Sequence, residues 1–184
     1  MRFYVFNIIP SPDAPDAVLL DTDAFSYMIK PGDPRGEIYR QRVQGKLLCV
    51  CFITVGELLF GAYKKKWGHE KLEHLKARLR SVTIVPFDYS VCQTYADLKS
   101  RLNASGKVVA DNDLWIAACA VRHAVPLVSN NRAHFEGIPG LILITEAPII
   151  TEIQSQELLF KGIKSSTETV PPSLQSPSSE TEKE

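Results

Sequence analysis

The sequence predicts an α/β fold, a parallel sheet covered on both faces by helices. Three observations carry that expectation. Strand-like and helix-like segments alternate from residue 17 to residue 145. The strand-like runs are apolar throughout instead of alternating, as in strands buried on both faces. The segments between them carry helical stripes and end signals, and so supply the crossovers that parallel strands require.

The elements follow in order. Residues 17–21 (AVLLD) read as a short buried strand, and 23–30 (DAFSYMIK) as a helix closed by Pro31-Gly32. Residues 35–45 suggest a polar helix. Residues 47–53 (LLCVCFI) are a continuous apolar run and therefore a strand. Thr54 opens a helix to about Lys66, and a second helix over 69–81 sets Leu72, Leu75 and Leu79 on one stripe. A strand at 82–86 (VTIVP) precedes a helix at 88–104 that ends near Gly106. An Ala-rich helix at 112–124 and strands at 126–129 (PLVS) and 141–144 (LILI) complete the series.

Composition bounds the function. The chain has 184 residues, 45% hydrophobic and 23% charged, which suits one full-sized core. Its longest apolar run is far short of the ~18–20 residues of a membrane span, and its aliphatic content excludes a wholly disordered chain. The opening MRFYVFNII lacks a small-residue cleavage site after it, against a signal peptide. Three regions are expected: an extension over 1–16, a domain over 17–145, and a second extension over 146–184. That last region carries a short amphipathic helix at 151–162 and a disordered Ser/Thr/Pro/Glu-rich tail from about 165. Net charge is zero, yet residues 17–145 hold 17 Lys/Arg against 12 Asp/Glu. A mildly basic body is compatible with a polyanionic partner. Cys49 and Cys51 fall on one face of a strand; with Cys92 and Cys119 they read as buried thiols of a reducing cytosol.

In parallel sheets the functional crevice lies at the carboxyl ends of the strands. Acidic residues collect there. Asp21 ends the first strand and Asp23 follows it, Glu57 lies near the start of the helix after the second strand, and Asp111 and Asp113 open the Ala-rich helix. Each has a plain structural reading. Thr54 and Glu57 fit a capping box, Asp23 and Asp111 are good N-caps, and Asp113 complements a helix dipole. Asp21 is different, because a charge at the mouth of a buried strand is costly unless paired or bound to metal. Together the carboxylates would repel one another, and a hard divalent ion with oxygen ligands removes that cost.

Three segments resemble the PIN-domain nucleases, in particular the VapC-type toxin ribonucleases. LLDTDAFSYMIK is similar to the family's strand, Asp-Thr-Asn and helix. TVGELLFGAYK is similar to its Thr-x-x-Glu-Leu-x-x-Gly segment. DNDLWIAACAVRHAVPLVSNNRAHFEGIPGL is similar to its Asp-x-x-Ile-Ala-Ala helix, strand, Asn-x-x-x-Phe and Pro-Gly-Leu. The resemblance implies a three-layer α/β/α sandwich around a four- to five-stranded parallel sheet. It implies Mg²⁺, with Mn²⁺ as a substitute, held by Asp21, Glu57 and Asp113. Asp111 matches an additional acid of some members. Asp23 stands where Asn is common, and Asn131 where some members place a fourth acid. The implied activity is hydrolytic cleavage of RNA, a structured RNA such as tRNA among the substrates, by a water that the metal activates. The implied setting is the cytoplasm, as the toxin of a toxin–antitoxin pair, a homodimer met by a small antitoxin.

Asp21, Glu57 and Asp113 are thus the expected catalytic and metal-binding set, with Asp111, Asp23 and Asn131 outside them. Arg132 and Lys64-Lys65-Lys66 are candidate RNA-phosphate contacts, though a lysine run is equally a solvated helix end. His69 and His74 only mimic H-E-x-x-H, missing the i, i+4 spacing, and read as solvent-facing. His134 falls at a variable position. Two alternatives stand beside this reading: a catalytically inactive PIN-like scaffold that binds RNA or protein, and a phosphatase, since LLDTDAF also resembles the Asp-x-Asp opening of haloacid-dehalogenase-like enzymes.

Overall fold

The computed structural model describes residues 16–145. Five parallel strands form one sheet in the order β3-β2-β1-β4-β5. They are β1 (Ala17–Leu20), β2 (Leu47–Cys51), β3 (Thr83–Val85), β4 (Leu127–Ser129) and β5 (Leu143–Thr145). Helices α1 (Thr22–Ile29) and α2 (Pro34–Arg42) join β1 to β2. Helices α3 (Phe52–Lys64) and α4 (His69–Arg80) join β2 to β3. Helices α5 (Tyr89–Ala104) and α6 (Asp111–Arg122) join β3 to β4, and α7 (Arg132–Phe135) joins β4 to β5. The expectations for an extension before residue 16, for a helix at 151–162 and for a disordered tail lie outside the described residues, as does the whole of 146–184.

Strand pleat divides the core into two layers. Leu19, Cys49, Cys51 and Leu127 face α5 and α6, against Val91, Leu98, Leu114 and Cys119. Val18, Leu20, Val50 and Val128 face the other way, against Phe25, Tyr39, Leu58 and Leu75 of α1 to α4. The three-layer α/β/α sandwich is therefore present. Cys49, Cys51 and Cys119 are buried, Cys92 is half-buried, and all four are free thiols. No helix among the described residues is long and apolar enough to cross a membrane.

Topology fixes where chemistry can occur. From β1 the chain moves outward to β2 and β3, then returns to β4 on the other side of β1. The gap between the ends of β1 and β4 is thus the switch point at which a crevice opens.

Several local expectations are corrected. Helix α3 begins at Phe52, two residues before Thr54, and its N-cap Cys51 makes no side-chain cap bond. Thr54 is buried inside the first turn near the Cys51 sulfur, at 3.7 Å, so the Thr54/Glu57 capping box does not form. Asp21, not Asp23, caps α1. Asp111 is the first residue of α6, and the cap position is Ala110. Strand β2 ends at Cys51 rather than 53, because the helix claims Phe52 and Ile53. The four-residue α7 is too short to carry a periodic signature in the sequence.

One contact between backbones is especially close. A Cβ on Gly36, in α2, would lie 2.2 Å from the carbonyl oxygen of Tyr27 in α1. Gly36→Ala is expected to lower unfolding free energy by about 1–3 kcal/mol, since the obstacle is backbone. Urea denaturation checks this; a loss no larger than that of Gly56→Ala, an exposed glycine of α3 with open space around it, would contradict it.

Candidate active site

The cavity at the switch point has a volume of about 300 Å³, and Asp21, Asp23, Glu57 and Asp113 all line it, with Phe60 and Asn131. Four carboxylates from three separate segments therefore share one small space.

Asp21 follows β1 directly and is 5% exposed. The strand and helix fix it. Its backbone N–H donates to the Val128 carbonyl at 3.1 Å, tying β1 to β4. Its Oδ1 accepts from the Ala24 backbone N–H at 2.7 Å, the α1 cap. Its Oδ2 accepts from the Ser129 hydroxyl at the end of β4. Burial pushes its carboxyl up to about 6; the Ser129 and Ala24 hydrogen bonds oppose this, and the charges of Asp23 and Asp113 add to it.

Glu57 projects from α3 and is held at both oxygens. Thr22 Oγ1 donates to Oε2, and Asn112 Nδ2 donates to Oε1 at 2.7 Å. Asp113 projects from the first turn of α6 with its side chain 22% exposed. Burial raises its carboxyl above the usual range, as do the Glu57 and Asp23 charges, while the His134 contact lowers it. Asp23 is exposed at the rim.

His134 is the residue sequence reasoning missed. Its Nδ1 lies 2.8 Å from Asp113 Oδ2 and 2.7 Å from Asn131 Nδ2. One nitrogen serves one partner at a time: protonated, it donates to Asp113; bare, it accepts from the Asn131 amide. The only signal was the i, i+3 spacing of Asn131 and His134, which is weak before α7 is known. Ser129, Thr22 and Asn112 were also missed as supports, and Phe60 as a wall.

Other expected residues lie elsewhere. Asp111 does not line the cavity; its Oδ1 accepts from Lys99 at 2.7 Å and Tyr95 at 2.8 Å, and the lysine holds its carboxyl below the usual range. Lys64 sits 5.9 Å from the Phe60 ring centre, beside the cavity wall. Lys65 and Lys66 border a separate surface cavity, and Arg132 pairs with Glu136 at 2.6 Å outside the acidic one. His69 and His74 are exposed.

The donor set is all oxygen, three to four carboxylates with an amide, which is the kind a hard divalent cation takes. As the side chains stand, no three His, Cys, Asp or Glu among the described residues close tightly enough to enclose an ion. Hydroxyl, amide and imidazole groups hold them instead. Mg²⁺ retains several of its waters, so its binding does not require full closure.

The raised pKa of Asp21 has a consequence for stability. Its folded value, about 6, exceeds the ordinary 3.8, so the ionised form is the costly one. The metal-free fold keeps this contribution below pH 3.8 and loses about 3 kcal/mol as pH rises through about 6. Metal-free Asp21→Asn is therefore expected to melt above the wild type at pH 7.5 and close to it at pH 4. Thermal denaturation in chelator checks this; a difference independent of pH would contradict it.

A family model described as PIN domain matches residues 18–141. The ribonuclease VapC2 of Haemophilus influenzae is 32% identical over 123 residues, 67% of this chain and 92% of that one. A crystal structure of VapBC2 from Rickettsia felis bound to a DNA fragment from their promoter superimposes with a TM-score of 0.63. It is 27% identical, over 71% of this chain and 98% of that one. A member of the VapBC family of toxin-antitoxin systems, VapBC-5 from Mycobacterium tuberculosis, gives a TM-score of 0.54 at 26% identity, over 72% of this chain and 100% of that one. The phosphatase alternative falls here, because the match runs through all three acidic segments. The shared cavity, the strand order and these matches agree: the chain belongs to the PIN domain family, among its VapC-type ribonucleases.

Proposed function

We propose that this protein is a Mg²⁺-dependent endoribonuclease, with Mn²⁺ as a substitute, acting as the toxin of a toxin–antitoxin pair. One observation carries the reading: Asp21, Glu57 and Asp113, far apart in the chain, line a single cavity at the sheet's switch point. These three would hold the ion, with Asp23 and Asn131 at the margin. Asp111 drops out of the set, since Lys99 and Tyr95 engage it away from the cavity. The bound ion would supply a nucleophile at neutral pH and offset charge on the phosphoryl oxygens.

The chain's own groups orient the carboxylates. Ser129 and the Ala24 N–H fix the two oxygens of Asp21, so it cannot rotate freely. Thr22 and Asn112 do the same for Glu57. The last bond joins the α3 acid to the first turn of α6 and so couples the position of Glu57 to that of Asp113. His134 holds Asp113 from the far side. Such supports limit the reorganisation needed when the substrate phosphate arrives. Phe60, 66% exposed, gives the mouth an apolar ring beside the acids.

The substrate in this reading is RNA in exposed loops, because bases in an A-form duplex are poorly accessible to side chains. The partner in this reading is a small cognate antitoxin, as the VapBC structures of the relatives suggest; the toxin itself is taken as a homodimer. The setting is the cytoplasm, where RNA substrates are made.

Asp113→Asn and Glu57→Gln are each expected to lower RNA cleavage at least about a hundredfold while leaving the fold intact. Chelation should abolish cleavage by the wild type, and added Mg²⁺ or Mn²⁺ should restore it. RNA-end sequencing after induced expression reads both activity and target. Wild-type cleavage patterns from Asp113→Asn would contradict the proposal and favour a scaffold.

A further inference from the structure

A second cavity, of about 510 Å³, opens on the other side of α7. The two cavities share a wall: Phe135 lines both. The short helix divides them by charge. Asn131, just before it, borders the acidic space, and Arg132, its first residue, borders the second. Arg42, from the end of α2, faces the same second cavity, whose floor includes Leu141 and Leu143.

Its electrostatics oppose those of its neighbour. Arg42 donates from Nη1 to the Thr145 carbonyl at 2.9 Å, a neutral acceptor that anchors the guanidinium. It forms no ion pair among the described residues, and a guanidinium carries five N–H donors, so most remain for a ligand. Arg132 pairs with Glu136 through Nε at 3.1 Å and Nη2 at 2.6 Å. Both partners of that pair are more than half exposed, at 62% and 58%, and an exposed ion pair of this kind is weak. Lys107 adds a third cation close by, donating to the Glu136 carbonyl. The cavity lining thus holds two cations and one carboxylate, with Lys107 outside it.

We propose that this cavity is a second RNA subsite, taking a backbone phosphate of the strand whose scissile bond lies over the acidic cavity. The inference rests on the ribonuclease reading above. Two guanidiniums, one from α2 and one from α7, line this single cavity, and a guanidinium can engage a phosphate through paired N–H donors. The common Phe135 wall makes the two cavities neighbours along one path. A strand crossing α7 would pass from a site that needs a cation to a site that supplies cations. That arrangement positions the strand, because phosphate contacts set register and carry no base sequence. Glu136 competes with the phosphate for Arg132, so its charge weakens the subsite.

The test is fluorescence anisotropy of a short labelled single-stranded RNA on the full chain, over a salt series. Asp21→Asn serves as the background so that bound RNA stays uncut. Arg132→Ala and Arg42→Ala are each expected to weaken binding several-fold and to reduce the salt slope by about 0.7. Glu136→Gln is expected to tighten binding. This second variant removes no cation, and a gain in affinity does not arise from misfolding. With Asp21 restored, Arg132→Ala should raise KM for RNA and leave kcat unchanged. Lys71→Ala, an exposed lysine that borders neither cavity, is the control for general charge. Equal losses from Lys71→Ala, or unchanged affinity in both arginine variants, would overturn the subsite. The second outcome would leave the arginines to an acidic protein segment. If the wild type still cuts RNA in either case, the ribonuclease reading stands alone. A wild type that neither binds nor cuts RNA overturns both.

Discussion

Asp21 is a carboxylate sealed at the end of a strand, and much of the site is arranged around that fact. Three neighbouring residues of β1 are fully buried, so the chain delivers a charge into a place water barely reaches. A buried carboxylate needs donors or a cation. The fold offers two donors, the α1 backbone and the Ser129 hydroxyl, and each belongs to a different element. The cap therefore begins α1, and the Ser129 bond ties β4 to β1 at the switch point. The same Ser129 oxygen accepts from the Asn131 N–H at 2.9 Å, which sets the start of α7. The positions of α1, β4 and α7 thus meet at one side chain.

The two donors do not fully offset the burial, and the shift to about 6 records the remainder. Asp23, Glu57 and Asp113 add like charge around it. A site optimised for stability alone would replace one of these acids. Their retention together is what the ribonuclease reading explains, since a cation converts the repulsion into attraction. Across α7 the charge reverses, with Arg42 and Arg132 on the far side of Phe135. Opposite fields in adjoining cavities suit a ligand that is itself a chain of anions crossing a bound cation.

Much of this was legible in the sequence, for identifiable reasons. AVLL and LLCVC are uniformly apolar, and only a strand covered on both faces needs that. Asp21 stood out because its desolvation has no cheap structural explanation. Other features were hidden. The capping box at Thr54 is a local pattern, and tertiary burial of Thr54 overrode it, pulling the helix start back to Phe52. Asp111 and Asp113 stand two apart in the sequence and look like one group, yet two residues on a helix turn through about 200°. One side chain therefore faces Lys99 while the other faces the cavity. His134 lies on a helix of four residues, too short to leave a periodic trace. The two cavities depend on residues from α2, α7 and β5 that no motif links, so the arginine pair could not be assembled before the fold was known.

We propose that these acids form a divalent cation site. Isothermal titration calorimetry of the full chain with Mn²⁺ and Mg²⁺ tests it most directly, because it needs neither an RNA nor an antitoxin. Saturable binding to the wild type is expected, lost in both Asp21→Asn and Asp113→Asn and persisting in Asp111→Asn. Absence of binding to the wild type, or equal binding in all three variants, would contradict it.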